Sequence, residues 1–151
     1  MNNEIERKYL VKEFDTTLSQ DKIEIKQGYI HSGEGKVVRV RTFNEKAYIT
    51  VKYRKSKLTR AEFEYEIPYD DAIDMLNNCC ENSVLIKTRY IYIYNGKKWE
   101  IDVFDGKNKG IILAEIELEN ENEEFDIPPF VIREVTSEPQ YSNHNLAKKG
   151  M

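Results

Sequence analysis

The stretch Glu4-Ile5-Glu6-Arg7-Lys8, near the start of the chain, decides how the rest of the sequence is interpreted. In an extended strand, alternate side chains lie on the same face, so Glu4, Glu6 and Lys8 share one face. Two carboxylates beside an ammonium group can hold a divalent cation and contact an anion at the same time. The stretch therefore predicts a β-strand with one chemically active face.

Beyond this strand, apolar and polar residues alternate with a period of two along most of the sequence, which is typical of strands. Asn44-Glu45 and Asn95-Gly96 are hairpin signals, since Asn and Gly tolerate the positive φ of tight turns. The predicted strands are Glu4–Val11, Lys22–His31, Val37–Phe43, Ala47–Tyr53, Arg60–Ile67, Val84–Tyr94, Lys98–Phe104 and Ile111–Glu119.

Few segments have helical periodicity. One helix is predicted over Asp70–Cys80, with Asp70 or Asp71 as its N-cap. A helical turn over Asp15–Ser19, a strand over Val131–Val135 and a helix over Ser142–Lys148 complete the assignment. The expected fold is mainly β within the α+β class. It is a closed, eight-stranded antiparallel barrel with a few flanking helices, and a β-sandwich is the alternative. Residues 1–151 are expected to form a single domain.

The composition excludes several classes of protein. A third of the 151 residues are charged but the net charge is only -4, so a nucleic-acid partner is not expected. No apolar run reaches the roughly 20 residues of a membrane span, and the start lacks the apolar region of a signal peptide. Cys79 and Cys80 are adjacent, which suits neither a mutual disulfide nor a metal-site spacing. We expect a cytoplasmic protein without a membrane partner.

The charges are sorted by sign from strand to strand. An ordinary sheet with a solvated charged face is one interpretation. The other is that the charged faces point into the barrel, because like-charged neighbours repel and a solvated surface does not require the sorting. The acidic pairs are Glu4 and Glu6, Glu62 and Glu64, Glu100 and Asp102, and Glu115 and Glu117; the basic pairs are Arg39 and Arg41, Lys52 and Arg54, and Lys87 and Arg89.

An interior with acidic and basic walls suits an anionic ligand that a metal ion bridges to the carboxylates. A polyphosphate is a ligand of this kind. Arg and Lys match phosphate oxygens, and Arg can bind them in a bidentate manner. Carboxylates prefer hard cations such as Mg²⁺ or Mn²⁺ to Zn²⁺. The sequence lacks a glycine-rich phosphate loop of the P-loop type.

The ordered set of charged pairs resembles the CYTH superfamily of triphosphate tunnel metalloenzymes. Glu4-x-Glu6-x-Lys8 is similar to the family's opening signature, and 141–147 resembles its C-terminal helix region. The segment Glu4–Val11 looks most like the short bacterial inorganic triphosphatases. The later pairs follow in the family's order: Arg39-x-Arg41, Thr50-x-Lys52, Glu62-x-Glu64, Lys87-x-Arg89, Glu100-x-Asp102 and Glu115-x-Glu117.

The resemblance implies a tunnel that is open at both ends and binds a linear triphosphate as its small-molecule partner. It implies Mg²⁺ or Mn²⁺ as cofactor, held by Glu4, Glu6, Glu115 and Glu117. It also implies phosphate contacts from Lys8, Arg39, Arg41, Lys52, Lys87 and Arg89. Glu62, Glu64, Glu100 and Asp102 are expected to support these groups.

Three functions remain open from the sequence. The first is metal-dependent hydrolysis of inorganic triphosphate, with nucleoside or thiamine triphosphates as further substrates. The second is an adenylyl cyclase of the class IV type, and the third is a polyphosphate-binding module without catalysis. The sequence contains no recognisable adenine pocket, which favours the hydrolase. The candidates for positioning or activating water are Tyr29 with Lys52, because a lysine whose pKa is lowered among other cations can act as a base.

Overall fold

A computed structural model describes residues 3–148, and β-strands make up most of them. Short 3₁₀ turns lie at Thr16–Leu18, Gly106–Asn108 and Pro139–Tyr141. The strands and helices are β1 (Asn3–Val11), β2 (Asp21–Gly33), β3 (Lys36–Phe43), β4 (Lys46–Arg54), β5 (Thr59–Ile67), α1 (Tyr69–Asn78), β6 (Val84–Tyr94), β7 (Lys97–Phe104), β8 (Ile112–Glu117), β9 (Val131–Glu134) and α2 (Asn143–Lys148).

The sheet closes on itself as an antiparallel barrel. Its strand order is β5-β4-β3-β2-β6-β7-β8-β1, and a further pairing of β5 with β1 completes the circle. The β1–β5 contact covers only Asn3 to Ile5 of β1, after which β9 pairs with Tyr9 to Val11. This closure confirms the predicted eight-stranded barrel and rules out the sandwich, which would need two separate sheets.

All eight predicted strands are present, and their ends differ from the predicted ones by at most two residues. The predicted cap of α1 is wrong: Pro68 occupies the N-cap position without a side-chain hydrogen bond. Asp70 and Asp71 lie instead in the first turn, where their charges favour the positive end of the helix dipole. Neither α1 nor α2, the α-helices of residues 3–148, is long and apolar enough to cross a bilayer.

The apolar faces of the strands point outward and are covered by other parts of the chain. Helix α1 packs Ala72 and Leu76 against Val40 and Ala47. The close approach of this helix to β2 requires Gly28, since a Cβ there would lie 2.8 Å from the Cys80 Sγ. The segment after β8 covers the opposite side, where fully buried Trp99 packs with Tyr9, Ile101, Ala114, Ile116, Leu118 and Phe125.

The barrel interior is apolar at the end beside α2. Leu85, Phe104 and Leu113, which share the inward face of their strands with charged residues, pack there with Leu146 and Ala147 of α2. The resemblance implies two open ends, and the structure departs from it here because α2 and this apolar cluster fill part of one end. The polar part of the interior is thereby confined to the remaining length of the barrel.

Candidate active site

The charged faces of the strands enclose a cavity of about 220 Å³ inside the barrel. Because every barrel strand places alternate residues on its inner face, the sorted charges of the sequence meet in this space. The predicted site residues that line it are Glu4, Glu6, Lys8, Tyr29, Arg39, Arg41, Lys52, Glu62, Lys87, Arg89, Glu100, Glu115 and Glu117. The charged faces of these strands therefore point into the barrel, as the second interpretation of the sequence predicts.

Two arginines of β3 converge on one carboxylate of β5. Arg39 and Arg41 place their terminal nitrogens 3.4 and 3.3 Å from Glu64 Oε2, and Thr50 donates to the same oxygen at 2.7 Å. Glu64 thus supports the two arginines without itself lining the cavity. The Nε atoms of both arginines are buried and have no hydrogen-bond partner among residues 3–148. One carboxylate does not satisfy both guanidinium groups, so this wall retains donors for an anion.

The positive charge of this wall is only partly compensated. Burial, together with the nearby charges of Arg39 and Arg89, lowers the pKa of Arg41 to about 10. An anion bound beside these guanidinium groups would stabilise their charged forms. The wall is therefore suited to a ligand with several negative oxygens, as phosphate chains have.

A second cluster of cations lies on β6. Arg89 forms a bidentate contact with Asp102, at 2.8 Å to Oδ1 and 3.0 Å to Oδ2, and Lys87 donates to Asp102 Oδ2 at 2.7 Å. Arg89 also approaches Glu100 and Glu115 at 3.4 and 3.5 Å. Burial lowers the pKa of Lys87 to about 8, against the opposing effect of Asp102. Asp102 thus fixes two buried cations in one orientation from behind the cavity wall.

Lys52 lies between two carboxylates. Its Nζ is 2.9 Å from Glu4 Oε1 and 3.4 Å from Glu62 Oε2. Burial raises the pKa of Glu4, but Lys52, with smaller contributions from Arg39 and Arg60, more than offsets this effect and lowers the value to about 2. The sequence favours other cations beside Lys52, whereas the structure places its ammonium group between two carboxylates. Lys52 is therefore placed as a hydrogen-bond donor.

The four predicted metal ligands lie on neighbouring strands. Glu6 is directly opposite Glu117 in the β1–β8 ladder, and Lys8 is opposite Glu115. Burial, Glu115 and Glu4 raise the pKa of Glu6 well above its usual value, and burial with Glu4, Glu62 and Glu100 raises that of Glu117. Carboxylates crowded in this way repel one another, and a divalent cation between them would relieve the repulsion.

The carboxylate oxygens are the ligands that Mg²⁺ and Mn²⁺ prefer, so the donor set fits either ion. Within residues 3–148, however, no three acidic, His or Cys side chains already form a metal-sized cluster. The existing ion pairs explain this arrangement, since Glu4 is drawn to Lys52 and Glu115 to Arg89. A cation binding here would compete with those two pairs.

The C-terminal segment contributes groups that sequence reasoning did not assign. Lys8 Nζ donates to the Tyr141 carbonyl at 3.1 Å, and Lys87 Nζ donates to Asn143 Oδ1 at 3.1 Å. His144, which no motif of the sequence singled out, is half-buried and lines the cavity. Burial and the charges of nearby Arg and Lys residues lower its pKa. These contacts depend on how a distant segment folds back, so no local pattern in the sequence could have revealed them.

Comparisons with known proteins agree with this geometry. An inorganic triphosphatase of Acetivibrio thermocellus is 43% identical over 148 residues, covering 98% of this chain and 95% of the relative. An inorganic triphosphatase of Nitrosomonas europaea is 33% identical over 149 residues, covering 95% and 96%. A solved inorganic triphosphatase structure is 30% identical, superimposes with a TM-score of 0.69, and covers 97% of this chain and 95% of its own.

The sequence also matches the CYTH domain over residues 2–151, which is nearly its whole length. The match agrees with the closed barrel and with the ordered charged pairs on its inner face. The chain therefore belongs to the CYTH domain family.

Proposed function

We propose that this protein hydrolyses inorganic triphosphate inside the barrel, with Mg²⁺ or Mn²⁺ as cofactor. The observation that carries the proposal is that one cavity is lined both by six cations and by the four predicted metal ligands. The cations are Lys8, Arg39, Arg41, Lys52, Lys87 and Arg89, and the carboxylates are Glu4, Glu6, Glu115 and Glu117. The relatives named as inorganic triphosphatases support the choice of substrate. Expected reaction products are phosphate and pyrophosphate, formed when water adds to a terminal phosphorus and the bridging bond breaks.

Each wall of the cavity has its own part in this proposal. Arg39 and Arg41 bind phosphate oxygens from one side, and Glu64 holds these two side chains in place. Lys87 and Arg89 bind phosphate oxygens from the other side, where Asp102 holds Arg89. Such fixed cations stabilise charge without reorganising during the reaction. Lys8 and Lys52 supply further single donors, each at the end of a flexible side chain.

The metal ligands in this proposal are Glu4, Glu6, Glu115 and Glu117. A bound Mg²⁺ or Mn²⁺ supplies charge neutralisation and a Lewis acid to phosphoryl oxygens. Lys52 and Tyr29, which both line the cavity, position the attacking water. Lys52 donates a hydrogen bond that orients the water oxygen, and Glu62, which lies beside it and is not among the proposed metal ligands, accepts the released proton.

A phosphate-release assay tests the proposal. The full-length protein is given inorganic triphosphate, pyrophosphate, ATP or thiamine triphosphate with Mg²⁺ or Mn²⁺, and cyclic AMP is measured in parallel. We expect triphosphate to be hydrolysed fastest and release to stop with EDTA. Cyclic AMP as the main product would instead identify a cyclase. Triphosphate binding without turnover of any substrate would identify a binding module.

A further inference from the structure

We propose that Gln27 is a positioning residue that directs the hydroxyl group of Tyr29 into the cavity. This inference rests on the proposed function, because the hydroxyl then meets a phosphate oxygen or the attacking water. Tyr29 lines the cavity, whereas Gln27 lies behind it and is fully buried. Gln27 therefore acts through Tyr29 and has no contact with the reacting atoms.

The two side chains form a direct contact on the inner face of β2. Gln27 Nε2 donates to the Tyr29 hydroxyl at 2.9 Å, and this hydrogen bond is buried. In the β2–β3 ladder, Gln27 is opposite Arg41 and Tyr29 is opposite Arg39. The pair therefore lies alongside the two arginines that face the cavity from β3, close to where phosphate oxygens are expected.

The direction of this hydrogen bond determines what the phenol can do. A phenolic hydroxyl has one proton to donate and lone pairs that accept. Because Gln27 donates to the Tyr29 oxygen, the phenolic proton is not used on Gln27 and can point elsewhere. Tyr29 faces the cavity, so its free proton is available to a ligand there. An apolar residue at position 27 would leave the hydroxyl free to rotate and would lose this orientation.

Packing alone does not account for a glutamine at this position. Its neighbours on the inner face include Ile25 on the same strand and Leu85 across the β2–β6 ladder. Its Oε1 atom is buried and finds no hydrogen-bond partner in the described part of the chain, which costs stability. An apolar side chain of similar length would fill the space without that cost. The amide is therefore better explained by its contact with Tyr29.

A double-mutant cycle on kcat/KM for triphosphate tests the inference. The variants are Gln27→Met, Tyr29→Phe and the combination of both. Thr42→Val is the matched control, since Thr42 is a buried polar residue of β3 outside the cavity lining. Thermal unfolding of all variants measures any loss of folding, and Gln27→Leu replaces Gln27→Met if the latter does not unfold cooperatively.

We expect Tyr29→Phe to lower kcat/KM about tenfold, the usual effect of losing one hydrogen bond to a charged group. Gln27→Met should cause a loss of similar size, divided between kcat and KM in the same way. The double variant should lose no more than Tyr29→Phe alone, because both changes remove the same oriented proton. Thr42→Val should retain the parent's kinetics.

Three results would overturn the inference: an unchanged kcat/KM in Tyr29→Phe, an unchanged kcat/KM in Gln27→Met, or losses that multiply in the double variant. The last would mean that Gln27 acts independently of Tyr29, as a structural residue does. If the parent binds triphosphate without hydrolysing it, the proposed function fails, but the same cycle on calorimetric binding constants still tests the pair. If the parent neither binds nor hydrolyses triphosphate, both proposals fail.

Discussion

Lys52 and Glu4 form an ion pair across the barrel interior, with Lys52 Nζ at 2.9 Å from Glu4 Oε1 and 3.1 Å from Glu4 Oε2. The residues come from β4 and β1, which are separated by β5 in the sheet. The pair therefore links the basic wall to the proposed metal ligands. Occupation of the site by a cation would release Lys52 from Glu4 and make its ammonium group available to substrate or water.

The first prediction concerns this lysine. Lys52→Ala should lower kcat for triphosphate more than it raises KM, because the variant loses the group that positions water while several other cations still bind phosphate. Steady-state kinetics under saturating Mg²⁺ measure the two constants. Lys46→Ala, a change at an exposed lysine of the same strand, is the control. A rise in KM with unchanged kcat would restrict Lys52 to holding phosphate.

The second prediction concerns the arginine wall. Arg41→Ala should weaken triphosphate binding by about 1.5–3 kcal/mol, the range for losing a hydrogen bond to a charged group. Calorimetric titration measures the change directly. Arg7→Ala is the control, since Arg7 points away from the interior and pairs with Glu134 at 3.1 Å. Equal affinity in parent and Arg41→Ala would exclude this arginine from the binding site.

The third prediction concerns the carboxylates. Glu117→Gln retains the shape of the side chain but removes a negative ligand, so turnover should fall sharply while triphosphate binding changes little. Thorough chelation of the parent should have the same effect, and added Mn²⁺ or Mg²⁺ should reverse it. Glu24→Gln, at an exposed position of β2, should leave turnover unchanged. Full activity of Glu117→Gln would remove β8 from the metal site.

The fourth prediction concerns stability. Asp102→Asn should lower the free energy of unfolding by about 3–5 kcal/mol, because Lys87 and Arg89 would keep their charges while losing a shared buried partner. Urea unfolding of the protein without ligand measures this loss. Glu24→Gln removes the charge from an exposed ion pair with Lys22 and should have little effect. An unfolding curve for Asp102→Asn that matches the parent's would contradict the structural role of this carboxylate.

The strands and their inward faces could be predicted because the signals for both come from residues that are close together in the sequence. Apolar and basic residues alternate in Val38-Arg39-Val40-Arg41, and this period of two predicts a strand with one charged side. The sorting of charges by sign from strand to strand indicates that the charged side faces inward. The positive-φ turns at Asn44 and Asn95 also follow from residue type. These short-range signals were sufficient for the order of the strands along the chain.

What could not be predicted depends on contacts between distant segments. The Lys8 contact with the Tyr141 carbonyl joins residues 133 positions apart, and alternation in β1 contains no information about it. The partner of Lys52 was also missed, since its cationic neighbourhood was inferred from sequence order and the barrel instead brought Glu4 beside it. Gln27 carries no charge, so it did not stand out in a pattern defined by charges.

A crystal structure of the protein with Mn²⁺ and inorganic triphosphate, with the metal located by anomalous scattering, would show directly whether both bind inside the barrel. We expect an anomalous peak in the interior, bordered by Glu4, Glu6, Glu115 and Glu117, and triphosphate oxygens in contact with Arg39, Arg41, Lys87 and Arg89. A metal and a triphosphate bound only on the outer surface, with the interior ion pairs unchanged, would contradict it.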